Sequence, residues 1–225
     1  ARVFSKNGYA KLVAKFDSHG NEIETEFFGA DGKPVSNTIG VSKVVAKFNT
    51  AGRQTEAMFF GVDGLPVADK TGCAGWTAVF DDAGNQVAGS YFGVDGQPAF
   101  GAEGYAKWTA KFDAGGQQVE RAFFGVDGEP ALHKNGYARW VSKFDQRGYQ
   151  TERAYFGTSG EPVLDKNGCA KWTRRIDECG NETERAFFGL KGEPVAAKEG
   201  YAKWAIKWQA CENRCGLRQV DCQVR

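Results

Sequence analysis

The sequence predicts an all-β array of tandem 32-residue hairpin modules, stacked into an elongated or superhelical solenoid. Three observations predict it. Glycines recur at one fixed spacing, at Gly8, Gly40, Gly72, Gly104, Gly136, Gly168 and Gly200, and all six prolines keep the same spacing, from Pro34 to Pro194. A fixed period in this range marks a modular repeat. Within each module two short segments alternate in character with a period of two, as half-buried strands do. Between them lies an Asp-x-x-Gly turn whose glycine recurs at Gly20, Gly52, Gly84, Gly116, Gly148 and Gly180. A type I turn closed by glycine at positive φ is a common hairpin connection.

The fourth module shows each element. Ala106, Trp108, Ala110 and Phe112 alternate with Tyr105, Lys107, Thr109 and Lys111. The turn is Asp113-Ala114-Gly115-Gly116 and the return segment runs from Gln117 to Phe124. Pairing Asp113 with Gln117 sets Trp108 opposite Ala122, Ala106 opposite Phe124, Lys107 against Phe123 and Lys111 against Val119. A ring facing a small residue packs well across strands. Gly125-Val126-Asp127-Gly128-Glu129-Pro130 then carries the tight-turn signal Asp-Gly, followed by a proline that cannot donate to a ladder. The stretch from Ala131 to Asn135 reads either as a helical turn ended by Asn-Gly or as a short edge segment.

A lone hairpin is at best marginally stable. Stacking modules buries a shared apolar stripe and makes stability a sum over neighbours. The stripe runs through Leu12, Val44, Trp76, Trp108, Trp140, Trp172 and Trp204, with a second through Phe16, Phe48, Phe80, Phe112, Phe144, Ile176 and Trp208. The whole chain, 1–225, reads as one array. Its full repeats are 8–39, 40–71, 72–103, 104–135, 136–167 and 168–199, with 200–225 as an atypical cap. The alternative is a closed seven-unit propeller or barrel. A propeller blade needs roughly 40 residues, and a closed barrel of about 14 strands leaves a lumen these rings do not fill.

At 225 residues the chain is long enough for a sizeable core. Lysine and arginine (29) nearly cancel aspartate and glutamate (28), so the balance does not call for nucleic acid or an anionic membrane. No apolar run approaches the roughly 18 residues of a membrane span, which argues against membrane insertion. The only methionine is Met58, and Ala1 falls just before the proline position of a module. The expectation is a processed product or part of a longer array.

Of the six cysteines, Cys179 and Cys211 are one repeat apart and hold the same turn position in neighbouring modules. Stacking in register makes them disulfide candidates, and Cys215 and Cys222 flank a segment they are placed to close. This cluster points to an oxidising compartment, periplasmic or extracellular. Zinc is the alternative, although Cys-x-x-x-Cys without a nearby histidine is a weak zinc pattern. Cys73 and Cys169 stand where other modules carry Tyr9, Tyr105, Tyr137 and Tyr201, and read as small apolar replacements.

The repeated phrase F-D-x-x-G-N-x-x-E-x-x-Y/F-F-G-x-D-G-x-P-V-x-x-K-x-G-Y-A-K-W resembles hairpin repeats of large bacterial proteins. It is similar to the YD-type shell repeats, the choline- or glucan-binding cell-wall repeats and the MORN repeats. The resemblance covers nearly the whole chain in style. It departs from the choline-binding pattern in its longer connector, as between Phe123-Phe124-Gly125-Val126-Asp127-Gly128 and Trp140. The resemblance implies hairpins, with aromatic cages between them as candidate ligand sites.

For contact, Tyr105, Tyr137 and Tyr201 lie on the face opposite the tryptophans, beside Lys107, Lys111, Arg139 and Lys143. Stacked, they make aromatic and basic columns able to hold a sugar or track an anionic polymer. The plainer reading makes the tryptophans core and the lysines a solvated face balanced by Glu24, Glu56, Glu120, Glu152 and Glu184. Asp31, Asp63, Asp95 and Asp127 suggest calcium, but Ser159 and Lys191 occupy that position in later modules, which argues against it. His19 and His133 fall at different places in the repeat and pair with no nucleophile by a known spacing. The expectation is no enzyme and no cofactor. A scaffold for a protein partner or assembly comes first, a cell-wall or polysaccharide binder second, and a structural shell or spacer third.

Overall fold

A computed structural model describes residues 6–198, 200–210 and 217–224, from position 207 onward by backbone alone. It is all-β, with fourteen strands and no helix among the described residues. The outgoing strands are β1 (Lys11–Phe16), β3 (Lys43–Phe48), β5 (Gly75–Phe80), β7 (Lys107–Phe112), β9 (Arg139–Phe144), β11 (Lys171–Ile176) and β13 (Lys203–Ala210). The return strands are β2 (Glu22–Phe28), β4 (Gln54–Phe60), β6 (Gln86–Phe92), β8 (Gln118–Phe124), β10 (Gln150–Phe156), β12 (Glu182–Phe188) and β14 (Leu217–Val224).

The chain forms two compact units, Ala1–Thr109 with Phe124–Glu129, and Ala110–Phe123 with Pro130–Arg225. In the first, β1 to β7 pair antiparallel in chain order; in the second, β8 to β14 do the same. Each unit is an open meander that does not close on itself. A propeller would break its pairing at every blade boundary, yet here the boundaries carry it, as in β2 with β3 and β10 with β11. The closed alternative is thereby corrected.

Three identical turns build each repeat. Among the described residues nineteen glycines have positive φ, between 72° and 93°. They follow a long-long-short interval that repeats along the chain, as at Gly8, Gly20, Gly32, Gly40 and Gly52. In the first module the three turn glycines are Gly20, Gly32 and Gly40. Each turn has the same two backbone bonds, shown by Gly20 N–H to Asp17 O and Asp17 N–H to Asn21 O. Gly32 with Gly29 and Gly40 with Asn37 repeat that pattern. A side chain near the start of each turn accepts the freed amides. Asp17 Oδ1 takes His19 and Asn21, Asp31 Oδ1 takes Lys33, and Asn37 Oδ1 takes Ile39 and Val41. The connector that reads as a helical turn or an edge segment is therefore a second and third copy of the hairpin turn. Between them Pro34 bridges back to Phe28.

The strand register differs from expectation by one residue. In the fifth module Lys143 faces Glu152 and Phe144 faces Gln150, so Thr151 is bulged. Trp140 consequently lies opposite Tyr155, as Trp76 lies opposite Tyr91, rather than opposite the alanine beside it. The bulged Thr151 donates its hydroxyl to Lys143 O at 3.3 Å, and Thr55 and Thr183 do the same in their modules. An extra residue of this kind shifts everything beyond it to the other side of the sheet.

One face of each sheet is thus aromatic. Trp108 and Trp140 are 6% and 7% exposed, while Trp76, Trp172 and Trp204 are half-buried. Alternation places Tyr105 and Tyr137 on the opposite face, but both are buried here. Each is the closing residue of a third turn, which swings the side chain under the sheet before strand alternation begins at position 107 or 139. Tyr137 packs against Phe123 at 6.1 Å and against Tyr155 of the next hairpin at 4.8 Å. Cys73 and Cys169 fill the same position at 2% and 1% exposure, with Val41 at 0%. Burying such a ring contributes about 2–3 kcal/mol.

The turn glycines give a direct check. Gly116 has φ +76° and open space around a would-be Cβ, whereas Gly115 is outside the positive-φ set and its position holds Ala51 and Ala83 in other modules. Gly116→Ala is expected to cost about 1–2 kcal/mol in urea unfolding, from backbone strain alone. Gly115→Ala should stay within about 0.5 kcal/mol.

Candidate interaction surface

The other face of the sheet carries the lysines, and its repeating feature is a glutamate held between two cations. Glu24 lies 2.5 Å from Lys15 of its own hairpin and 2.8 Å from Lys43 of the next. Glu120 lies 2.8 Å from Lys111 and 3.0 Å from Arg139. Glu184 lies 2.8 Å from Lys203 and 3.8 Å from Arg175, and Glu152 lies 3.0 Å from Lys143. The cations of the outgoing strands also cover the second ring of each aromatic pair. Arg139 sits 4.4 Å over Phe156 and Lys171 4.9 Å over Phe188.

The geometry follows from the register. Lys15 faces Glu24 directly across the hairpin, while Lys43 is a near neighbour across the boundary, where Glu26 is its direct partner. The carboxylate of Glu24 is held below its ordinary value by the Lys15 hydrogen bond first and the Lys43 bond next. The Lys43 ammonium is raised in return by Glu24. At Glu120 burial pushes the carboxyl up, but the Lys111 and Arg139 bonds outweigh it and the net shift is downward. Lys111 and Lys143 remain 72% and 70% exposed, so each pair contributes only about 0–1 kcal/mol.

Lys111, Arg139 and Lys143 are therefore engaged by carboxylates. Lys107 differs. The neighbouring return strand carries Ala88 where other modules carry glutamate, and among the described residues Lys107 makes no ion pair. Ala88 faces Val79, which replaces the lysine of that hairpin. Both members of the pair are lost together, which avoids leaving a single half-buried charge. Val79 is 55% exposed.

On the aromatic face the second unit carries a feature absent from the sequence expectations. Arg121, Arg153 and Arg185 lie directly opposite or one register step from the tryptophans. Arg121 faces Trp140, Arg153 faces Trp172 and Arg185 faces Trp204. Arg153 also stacks 4.1 Å over Trp140, and Arg185 5.3 Å over Trp172. Glu182 holds Arg185 at 2.6 Å. Their one-per-module spacing in the E-R-A phrase is visible in the sequence. The matching positions of the first three modules are Thr25, Ala57 and Gly89, where a Cβ on Gly89 would stand 2.6 Å from Trp108 Nε1.

A pocket also recurs between modules. One of about 240 Å³ is lined by Tyr155, Phe156, Pro162, Lys171 and the Gly189–Gly192 turn. One of about 180 Å³ occupies the equivalent place at Pro34, Lys43 and the Gly61–Gly64 turn. Its rim holds an exposed aliphatic residue, Leu190 at 51% or Val62 at 57%. Val94 and Val126 take that repeat position elsewhere, at 55% and 44%.

The remaining predicted sites fall as follows. Tyr201 is half-buried with its ring 6.0 Å from Phe187. Cys179 is exposed at the β11–β12 turn; Cys211 and Cys215 lie outside the described residues, and Cys222 is placed only as a position in β14. No disulfide joins two described cysteines. The Oδ1 atoms of Asp31, Asp63, Asp95 and Asp127 each accept a backbone amide of their own turn. His133 caps a third turn, its Nδ1 accepting the Asn135 amide at 3.1 Å, and stacks on Tyr137 at 5.3 Å.

The ladder makes stability depend on acid. Carboxylates depressed in the fold contribute stability above the ordinary value of 4.5, and that stability is lost as pH falls through their lower folded values. Thermal melts between pH 6 and 3 are expected to show a fall in Tm below about pH 4.5 that is shallower in a Glu24→Gln/Glu120→Gln variant. An identical slope in the variant would contradict the ladder.

No family model matches the chain, and no curated protein matches it. Solved structures do. The Photorhabdus luminescens Tc holotoxin pore with a mutated TccC3 is 10% identical over 87% of this chain and 9% of that one, with a TM-score of 0.40. A TcdB2–TccC3 crystal structure is 11% identical over 95% of this chain and 12% of that one, with a TM-score of 0.25. The chain thus spans about a tenth of the length of the solved chains it is similar to.

Proposed function

We propose that this chain is a non-enzymatic repeat scaffold whose surface mediates protein–protein interaction or assembly. The observation that carries the reading is that one repeat position holds exposed aliphatic residues in both units: Val62, Val94 and Val126 in the first and Leu190 in the second. Exposed apolar side chains at a repeated position, two of them beside pockets, favour a protein partner over a sugar or a polyanion. Most of the groups that would serve a polymer are otherwise engaged, Lys107 and the half-buried Tyr201 being the exceptions. Tyr105 and Tyr137 are packed inside, and Lys111, Arg139 and Lys143 are neutralised by glutamates. The absence of enzymatic activity belongs to the same reading. Repeated acidic residues serve the ladder and the turns, and His133 serves a turn.

The test compares two forms of the full chain. The wild type should retain a defined protein partner on affinity capture, and Val62→Ser/Val94→Ser/Val126→Ser/Leu190→Ser should lose it while melting within a few degrees of wild type. Neither form should be held on peptidoglycan, chitin or amylose resin. Retention on such a resin that survives the four serines would replace the scaffold reading with the polysaccharide reading.

A further inference from the structure

The pocket beside Lys171 has lost the internal carboxylates that its counterpart beside Lys43 keeps. We infer that it is a docking notch for an extended segment of a protein partner that carries a leucine-like side chain and, two residues on, a carboxylate. The inference rests on the scaffold reading and gives the partner's chemistry at one place in the second unit.

The two pockets correspond position for position. Pro162, Lys171 and the Gly189–Gly192 turn stand where the first unit has Pro34, Lys43 and the Gly61–Gly64 turn. Ala154 replaces Glu26, Ala170 replaces Ser42 and Leu190 replaces Val62. The lining at Lys171 is therefore more apolar, and the pocket is larger, about 240 Å³ against about 180 Å³. An apolar cavity of about 150 Å³ holds a group the size of benzene. There is room for one isobutyl or benzyl side chain.

Charge separates the two sites further. Lys43 is bonded by Glu24 at 2.8 Å and by Glu26 at 3.3 Å. At Lys171 the residue directly opposite is Ala154, and Glu152, at the Glu24 position, lies 3.0 Å from Lys143 instead. Lys171 is half-buried over Phe188 at 4.9 Å and makes no ion pair among the described residues. The other carboxylates nearby have their own partners. Glu184 serves Lys203 and Arg175. Glu193 turns back over Gly189 and accepts the Lys191 amide at 2.9 Å. A half-buried ammonium without a counter-ion gains more from an added carboxylate than an exposed one does.

The boundary between β4 and β5 shows such a place filled from within. Position 75 is glycine, and a Cβ on it would stand 2.5 Å from the Met58 sulfur. Met58 holds the repeat position of Ala154, and Gly75 that of Lys171. An apolar side chain thus takes the space that the stem of a cation takes at other boundaries. At Lys171 no residue of the chain plays that part, because position 154 carries only a methyl group. A partner supplies both missing groups. Residues two apart in an extended segment point the same way, so one seats in the pocket while the other meets the ammonium.

The probe is the peptide acetyl-Gly-Leu-Ser-Glu-Gly-amide, titrated at low salt into the full chain labelled with nitrogen-15. Saturable shifts are expected at the amides of Gly189, Leu190 and Gly192. Replacing the peptide's glutamate by glutamine, or its leucine by serine, should weaken binding about tenfold. Ala154→Glu restores the carboxylate that Glu26 provides in the first unit, and should weaken binding to the same extent while melting within a few degrees of wild type. Lys171→Glu should reverse the preference, towards the peptide with lysine in place of glutamate. No saturable shift at this turn, equal affinity for the glutamine or serine peptide, or undiminished binding by the Ala154→Glu chain would each overturn the inference. Isocaproate binding as tightly as the peptide would also overturn it, by making this the site of a small apolar acid. Partner capture that persists in the wild-type chain and is lost in the four-serine variant, while the peptide fails to bind, would leave the scaffold reading standing without this notch.

Discussion

A narrow seam of backbone pairing joins each hairpin to the next within a unit, and the rest of the structure depends on it. Inside a hairpin the pairing runs over six positions, as between β3 and β4. Between hairpins it runs over three, as between β4 and β5. A two-stranded hairpin alone cannot exclude enough water to stay folded. The seam therefore needs help from both faces of the sheet. On one face the buried tyrosine or its cysteine or valine substitute fills the gap between neighbouring rings, as Tyr137 does between Phe123 and Tyr155. On the other a glutamate bonds cations from both hairpins. Core packing supplies most of the stabilisation; the ion pairs, exposed and individually weak, mainly fix the register.

The turns make this seam repeatable. Three glycine turns of one design return the chain to the same place in every module, so an outgoing strand such as β3 arrives with its cation beside the preceding glutamate. Side-chain caps can change without changing the turn. His133 replaces an Asp or Asn, and Lys191 bonds Glu193 Oε2 where other modules bond Asp Oδ1. The glycine is not exchanged at any of these positions in the described turns, because its positive φ is a backbone requirement that no side chain meets as easily. The third module shows how far the faces can drift. It has no ion pair of the ladder type at Val79 and Ala88, and Met58 lies where a Cβ on Gly75 would stand, 2.5 Å from its sulfur.

Much of this is legible in the sequence, and the parts that are not share a cause. Period, strand pairs, turn glycines and the aromatic stripe follow from side-chain identity at fixed spacing. The register does not, because the bulge at Thr151 and its equivalents has no local composition signal: the threonine hydroxyl that closes it looks like any strand threonine. That one bulged residue moves the partner of Trp140 from Ala154 to Tyr155. Burial of Tyr105 and Tyr137 is hidden for a related reason. Both sit just before their strands, in a turn whose geometry, and not strand pleat, aims the ring. The arginines stacked on Trp140 and Trp172 are readable as a one-per-module series, but their meaning depends on that corrected register.

The central claim is that modules are interchangeable units held by their seams, and excision tests it most directly. Removing 40–71 deletes one period and rejoins identical positions. Removing 40–63 deletes three-quarters of a period and joins unlike ones. Urea unfolding should show the first variant folded and cooperative, with an m-value lower by roughly a seventh, and the second largely unfolded or without a single transition. Equal behaviour of the two variants, whether both folded or both unfolded, would contradict the account.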